Sequence, residues 1–538
     1  MTLMSESPDP IAAGSRPGGP PARTDGGAGP WLWFAGFLAF ALATHTYVLE
    51  DAMTSDNCLF VRYAREWAAG AKPYVVWYDS KPPVVFWIFR AIDFGDPRVD
   101  VYVAGAVLAA AAAAELRRAL LAVSQPVAGS FAGLFYVAWT GMFGYQHLYD
   151  AFALPTAVLA TAWLGLAAAR GSRAYTAAAG VAYGVLVGCF PPAAVYLIAW
   201  LPFLFLGARK HGPRFARTGL LLFFVGVAGV WVPVVAHAVR GGYWDGFVGA
   251  LAANRRYGAL DRVPLATHFD RWCAEWYRLV TAGGAFPAFA VCGSLAGLVG
   301  GWRRVSREVR VWAVVAGLWL VAAQAGTFPG GRHFGPYYSF LLGPLAVLGS
   351  LGWAAVPPAL SVRGFCRVLI GAFVAATLTT HWIARYSVYR AYDMKTTDSF
   401  RTPIWHMTYF IDAMIPADEP VLVCVWGRDT EIYWQAPRPA PSPHIIPWNL
   451  VEIRPELFAA WADDVLRNPP QWIITDNVLL GPGATDDFLR VLAPQWGGAT
   501  LTDTPSYIRL RQFVRDRYDL VNGTGDMLIL RRKPLPAG

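Results

Sequence analysis

Residues 218–239, TGLLLFFVGVAGVWVPVVAHAV, decide the fold class of this 538-residue chain. The segment contains no charged residue and is long enough to cross the hydrocarbon core of a bilayer, which takes about 20 helical residues. Similar runs recur along the chain, and together they predict a polytopic α-helical membrane protein of about eleven spans. The other runs are residues 31–48, 99–116, 126–142, 151–169, 174–190, 191–208, 281–301, 311–326, 337–357 and 366–384.

The composition excludes a soluble multidomain enzyme. The chain is 55% hydrophobic and only 15% charged, whereas soluble domains carry about 25% charged residues. Its net charge of +9 comes from short basic clusters between apolar runs. That distribution is typical of membrane topology signals and of contacts with anionic lipid, so no nucleic-acid partner is predicted. The six cysteines show no CxxC spacing, so neither a zinc site nor a disulfide framework is predicted.

The basic residues also predict the orientation of the spans, because Lys and Arg in short connections favour the cytoplasm. Every second connection is basic: 117–118, 170–173, 209–217, 303–310 and 363–367. We therefore expect these connections and the amino terminus to be cytoplasmic. Residues 1–30 are rich in Gly, Pro and Ser and are expected to form a flexible tail. The segments expected on the opposite side are 49–98, 143–150, 240–280, 327–336 and everything after 385.

Residues 385–538 predict a small extracytoplasmic α/β domain. VLVCVWG (421–427) and WIITD (472–476) are typical of buried strands, and YDLVNGTGDMLILRRK (518–533) is typical of a hairpin. ELFAAWADDVL (456–466) and DDFLRVL (486–492) have helical patterns.

The segment Ser55–Gly95 holds the residues that suggest chemistry. Its first half, SDNCLFVRYAREW, has apolar residues at helical spacing among charges, which predicts a helix in the membrane interface. Asp56 starts that helix, where a carboxylate either caps the helix or acts in catalysis. Lys81 precedes Pro82, Pro83 and an apolar helix, which by itself suits a snorkelling interfacial lysine before a helix start.

The order of these residues resembles the GT-C fold membrane glycosyltransferases that use polyprenyl-phosphate sugars, of the glycosyltransferase family 39 type. Protein O-mannosyltransferases and bacterial aminoarabinose transferases belong to this group. The landmarks that carry the resemblance are Asp56, Tyr63, Gly70, Tyr74, Lys81-Pro82-Pro83, Asp150 in YQHLYDAF, GRHFGPYYSFLLGPLAVLG (331–349) and VWGRDTEIYW (425–434). Two positions depart from the family pattern. Asn57 follows Asp56 where the family commonly has Glu, and the second acidic position, here Asp150, is more often Glu.

The resemblance implies a transmembrane catalytic domain over residues 31–384 that moves a sugar from a polyprenyl phosphate to an acceptor hydroxyl outside the membrane. Asp56 would be the base that takes the acceptor proton, which gives a single displacement with inversion. Lys81 would neutralise the phosphate, and Tyr63 would contact the substrate. Asp150 would either assist Asp56 in orienting the acceptor or cap the helix that begins at Ala151.

The loops on the same side hold further candidate ligands. Arg255, Arg256 and Tyr257 in NRRYGALDR would hold the lipid phosphate, or the segment would contact lipid headgroups nonspecifically. Arg332, just before the run 337–357, is another candidate phosphate ligand. The expected partners are the lipid-linked sugar donor, an acceptor of unknown identity and membrane lipids.

No cofactor is predicted. His147 and Asp150 have the i, i+3 spacing of two helical metal ligands. Two ligands do not make a metal site, and the surrounding residues are aromatic.

A transporter or flippase for a lipid-linked or small solute is the alternative function, and a membrane-anchored scaffold is a third. Transport usually requires ionisable residues or broken helices at mid-membrane, often in repeated halves. The spans hold few ionisable residues, of which Glu115 near Arg117 is the nearest case, and no internal repeat is evident. Both alternatives predict that Asp56→Asn leaves activity intact.

Overall fold

A computed structural model gives the fold of most of the chain. It describes residues 29–46, 55–75, 77, 79, 81–124, 126–143, 150–260, 265–282, 285–328, 335–355, 363–394, 402–425, 429–442, 455–476, 480, 504–524 and 527–534. Within these ranges, only the backbone is described at residues 55–57, 97–98, 126, 142–143, 253–260, 265, 278, 280–282, 285–290, 335–336, 355, 363–367, 384–394, 402–406, 429–430, 455 and 524. The predicted tail up to residue 28 and the predicted helix at 486–492 lie outside the described residues.

The first part of the chain is helical. Its helices are α1 (Gly29–Thr44), α2 (Ser55–Ala68), α3 (Pro83–Ala91), α4 (Pro97–Leu121), α5 (Pro126–Phe143), α6 (Asp150–Arg170), α7 (Arg173–Cys189), α8 (Tyr196–His211), α9 (Pro213–Arg240), α10 (Trp244–Leu260), α11 (Leu265–Ala282), α12 (Ala285–Gly300), α13 (Arg307–Thr327), α14 (Gly335–Tyr338), α15 (Leu342–Leu351) and α16 (Arg363–Met394). Short 3₁₀ turns occupy Pro191–Val195, Ser339–Leu341 and Gly352–Ala355.

Each apolar run predicted to span the membrane overlaps at least one of these helices. In the described part of the chain, five helical segments are long and apolar enough to cross a bilayer, judged by length and composition: Val99–Leu121, Asp150–Arg170, Pro191–His211, Pro213–Arg240 and Arg307–Thr327. These segments indicate a helical protein associated with a membrane. The count of about eleven spans and their orientation stay predictions.

Proline and glycine residues set several helix boundaries. Pro83 and Pro213 are the first residues of α3 and α9, where a missing backbone N–H costs nothing. Gly212, with a φ of +89°, separates α8 from α9. The apolar stretch 174–208 is broken at Pro191–Val195, because two successive prolines cannot continue the hydrogen bonding of α7.

Helix α6 lies at the centre of the helical part. Its residues are buried without interruption from Asp150 to Ala162, and it packs against α4, α7 and α8. Such burial explains why α6 is apolar all round. Helix α9, by contrast, exposes Leu221, Phe224 and Val232, as a helix that faces lipid would.

Helices α2 and α3 form a pair that packs on one end of α6 and α7. Phe60 of α2 contacts Phe86 and Phe89 of α3, with ring centroids 6.0 and 5.4 Å apart. Phe89 in turn contacts Phe152 of α6 at 5.6 Å. The helix predicted at the start of the segment 55–95 is therefore confirmed as α2, while its place in the membrane interface stays a prediction.

The C-terminal α/β unit contains a four-stranded sheet flanked by helices. Its elements are α17 (Thr402–Met414), β1 (Val421–Cys424), α18 (Asp429–Gln435), α19 (Pro455–Arg467), β2 (Trp472–Asp476), α20 (Pro505–Arg517), β3 (Tyr518–Thr524) and β4 (Met527–Arg532). The strand order is β1-β2-β4-β3. Strands β1 and β2 are parallel, and β4 is antiparallel to both β2 and β3.

The predicted strand WIITD, the hairpin and the helix ELFAAWADDVL are confirmed as β2, β3–β4 and α19. Strand β1 ends at Cys424 rather than at residue 427, and residues 426–428 lie outside the described part. Helix α16 continues to Met394, past the predicted domain boundary at residue 384. Each residue added to an existing helix gains one backbone hydrogen bond, so a helix need not stop where its apolar run ends.

Candidate functional site

Lys81 lies in the loop between α2 and α3, and two hydrogen bonds hold its main chain. The Tyr74 hydroxyl donates to the Lys81 carbonyl oxygen at 2.5 Å, and the Lys81 amide donates to Asp79 Oδ1 at 2.8 Å. Tyr74 has a φ of 60°, which a bulky residue adopts only when its surroundings hold it there. The Lys81 main chain is thereby held two residues before Pro83, the first residue of α3.

Aromatic side chains form the support for this loop. Tyr63 of α2 stacks on Trp77 of the loop, with ring centroids 4.0 Å apart and ring planes within 3°. Phe86 of α3 contacts both rings, at 6.0 and 5.0 Å. Tyr63 and Trp77 are 2% and 0% exposed. Their stacking therefore joins α2 to the loop that carries Lys81.

The phenol of Tyr63 is neutral at physiological pH. Burial raises its pKa well above the ordinary value, and the nearby carboxylate of Asp79 raises it further. A neutral phenol can donate a hydrogen bond but does not serve as a base. The contact between Tyr63 and substrate stays a prediction.

Asp150 is the first residue of α6, and its side chain is fully buried. A carboxylate among apolar helices is costly, and such residues are usually functional. Two residues further along α6, the ring of Phe152 lies 5.6 Å from that of Phe89 in α3. Asp150 therefore lies at the end of α6 that packs against α3, the helix that follows Lys81.

A glycine permits α3 to approach α7 at the same end of the helical part. A Cβ on Gly188 would lie 2.6 Å from Cγ2 of Val84, so the first turn of α3 approaches the end of α7 more closely than a larger residue would allow. Val84 lies three residues after Lys81, and Gly188 is followed by Cys189, the last residue of α7. Because α6 also packs against α7, the start of α6, the end of α7 and the start of α3 lie at one end of the helical part.

Asp56 lies in the first turn of α2, as predicted, and the structure describes its backbone only. An acidic residue in the first turn also complements the helix dipole, both here and at Asp150. The role of Asp56 as a base stays a prediction.

The candidate ligands at residues 255–257 lie on helix α10, which is described there as backbone. The start of α10 contacts the Lys81 loop, because the rings of Phe247 and Tyr74 lie 5.8 Å apart and a Cβ on Gly246 would lie 2.8 Å from Cβ of Tyr74. Arg332 lies outside the described residues. Phosphate binding by Arg255, Arg256, Tyr257 and Arg332 stays a prediction.

The described residues contain no group of three or more His, Cys, Asp or Glu side chains arranged to hold a metal ion. His147, one of the two residues with metal-ligand spacing, lies outside the described part.

Comparisons with protein-family models and with curated proteins find no match to this chain. The resemblance to GT-C glycosyltransferases therefore stays a prediction, and the function is argued from the site itself.

Two residues of the site, Asp79 and Cys189, are not singled out by the sequence patterns. Asp79 accepts a hydrogen bond from the amide two residues later, an Asx turn that an Asp shortly before Lys81 could have signalled. Cys189 ends the run 174–190 on the side predicted for Asp150 and Lys81. That position is the only sequence signal for Cys189.

Proposed function

We propose that this protein is a membrane-bound glycosyltransferase that moves a sugar from a polyprenyl phosphate to an acceptor hydroxyl at the outer face of the membrane, with inversion. The observation that carries the proposal is that the buried Asp150 begins α6 at the end that packs against α3, the helix that follows Lys81. A cation and a carboxylate at one end of a set of apolar helices suit a reaction on a lipid-linked anion.

Lys81 supports the part of the proposal that concerns the lipid-linked sugar donor. The leaving group is a phosphate on a lipid, and negative charge grows on it as the bond to the sugar breaks. An ammonium group stabilises that charge, and the N-terminus of α3 beside it adds a favourable dipole. The bonds from Tyr74 and to Asp79 orient the Lys81 main chain before substrate arrives. Preorganised charge of this kind is typically worth about 3 kcal/mol in the transition state.

Asp56 is the proposed base that accepts the proton of the acceptor hydroxyl. The acceptor oxygen attacks the anomeric carbon while the bond between that carbon and the phosphate oxygen breaks, and the bonding electron pair leaves with the phosphate. The acceptor proton passes to the Asp56 carboxylate. A single displacement inverts the anomeric centre. Asp150 assists by orienting the acceptor hydroxyl, and its position at the end of α6 that packs against α3 supports this role.

Transfer assays on purified protein in lipid bilayers, with radiolabelled polyprenyl-phosphate sugars, test the proposal. Asp56→Asn removes the base without changing its size, so we expect the rate to fall about 10²- to 10⁴-fold. Lys81→Ala removes the cation, and we expect a fall of about 10²-fold or more.

Lys72→Ala is the matched control, because Lys72 is an exposed lysine in the same loop. We expect this variant to keep its rate within about twofold, as is typical of a surface charge. The proposal is contradicted if the wild-type protein transfers sugar from none of the donors, or if Asp56→Asn works at the wild-type rate. Movement of an unmodified lipid or solute across the bilayer would favour the transporter instead.

A further inference from the structure

Two consecutive aromatic residues of the C-terminal α/β unit contact helix α2. The guanidinium carbon of Arg62 lies 5.1 Å from the ring centroid of Tyr433, and that of Arg65 lies 4.8 Å from the ring centroid of Trp434. Arg62 and Arg65 are three residues apart and therefore share one face of α2. Both distances are within the range in which a cation is attracted to an aromatic face.

The two arginines are also held by carboxylates. Arg65 donates from Nε and Nη2 to the two oxygens of Asp93, at 2.7 and 2.6 Å, just after the end of α3. Arg62 donates from Nε to Glu66 Oε1 at 2.8 Å. A bidentate pair fixes the plane of a guanidinium group, so Arg65 presents a defined face to Trp434.

Tyr433 extends the connection into the sheet. Its hydroxyl donates to the carbonyl oxygen of Val421 at 2.7 Å and accepts from the amide of Val423 at 3.1 Å, both in β1. Tyr433 is 5% exposed. Helix α18 therefore forms hydrogen bonds with β1 on one side and contacts α2 on the other.

We propose that Tyr433 and Trp434 are positioning residues that hold α2, and with it Asp56, in the orientation that sugar transfer requires. The inference rests on the proposed function, because it assumes that Asp56 on α2 is the catalytic base. The physical reason lies in the packing: α2 is supported by α3 on one side and by α18 on the other. The C-terminal unit then acts on the reaction by restricting the motion of a helix and supplies no reacting group.

The proposal predicts that loss of the contact lowers kcat more than it changes the KM for the donor. The stacking of Tyr63 on Trp77 joins α2 to the Lys81 loop, but the loop also keeps its own bonds to Tyr74 and Asp79 when the contact with α18 is lost. Loosening α2 therefore lowers the fraction of molecules with a correctly oriented base and reduces kcat. The KM for the lipid-linked donor is expected to change less than kcat, because the donor phosphate is bound by the Lys81 loop.

Hydrogen–deuterium exchange of the full-length protein in lipid nanodiscs tests whether α18 holds α2. Trp434→Leu keeps apolar bulk but removes the aromatic face, and we expect exchange in residues 58–68 to rise about 2- to 30-fold. Trp434→Phe keeps an aromatic face and should restore most of the protection. Tyr409→Leu, on an exposed residue of α17 in the same unit, should leave α2 unchanged.

Transfer assays on the same variants test the purpose of the contact. We expect kcat of Trp434→Leu to fall by at most the factor seen in exchange, with the donor KM within about twofold and with rescue by Trp434→Phe. Unchanged exchange in α2 overturns the inference, as does faster exchange spread equally over all helices. A wild-type protein without transferase activity overturns the proposed function, and exchange alone still decides whether α18 holds α2.

Discussion

The packing of α9 against α7 makes Gly226→Ala the most informative test of the helical part. A Cβ on Gly226 would lie 2.8 Å from the backbone nitrogen of Val181 and 3.0 Å from the carbonyl carbon of Gly180, and closer still to the carbonyl oxygen of Ala177. All three atoms belong to the backbone of α7. No side-chain rotation relieves these contacts, so the two helices must move apart.

The size of the effect follows from these distances. The helices must separate by close to 1 Å before the new methyl group reaches an ordinary contact distance of about 3.5 Å. Overpacking of this kind costs about 1–3 kcal/mol. Gly229→Ala, on the same helix, is the matched control, because nothing lies within 4 Å of its added Cβ. Both substitutions gain the same helix propensity, about 1 kcal/mol, so their difference isolates the packing.

The assay is equilibrium unfolding in mixed detergent micelles by titration with sodium dodecyl sulfate, followed by tryptophan fluorescence. We expect the free energy of unfolding of Gly226→Ala to be lower than that of Gly229→Ala by about 1–3 kcal/mol. Equal free energies for the two variants would refute the close packing of α9 on α7. A less stable Gly229→Ala would refute it as well.

Two further predictions concern tyrosine hydroxyls. Tyr74→Phe removes the bond to the Lys81 carbonyl oxygen, so we expect sugar transfer to slow about fivefold in the radiolabel assay, with Tyr409→Phe, on an exposed ring, unchanged. Burial raises the pKa of Tyr518 to about 12, and its hydroxyl donates to the Pro470 carbonyl oxygen. The unfolded chain loses this proton near pH 10, so the folded state should lose up to about 3 kcal/mol between pH 10 and 12. Unfolding titrations at several pH values should show a smaller alkaline loss for Tyr518→Phe, and an equal loss would contradict the assignment.

The helices are predictable from sequence because a backbone in lipid must satisfy its hydrogen bonds within its own segment. The run 218–239 lies entirely within α9 for this reason. The hairpin at 518–533 is predictable for a similar local reason, since a Gly-containing turn joins two alternating segments. The extension of α16 to Met394 is not visible in the apolar pattern, because residues 385–394 mix charged and polar residues with apolar ones and prolong a helix that is already formed.

Some features of the candidate site can be predicted from the sequence, and others depend on the tertiary structure. Asp56, Lys81 and Asp150 stand out in the sequence because each is a charged residue in a segment expected on the outer side, and each precedes or begins a helix. Helical periodicity and helix starts are properties of neighbouring residues, so they can be read along the chain. The packing of α3, which follows Lys81, on the start of α6, which holds Asp150, cannot be read in this way. It depends on how three separate helices pack, and that packing rests on contacts between distant residues, such as Val84 against Gly188.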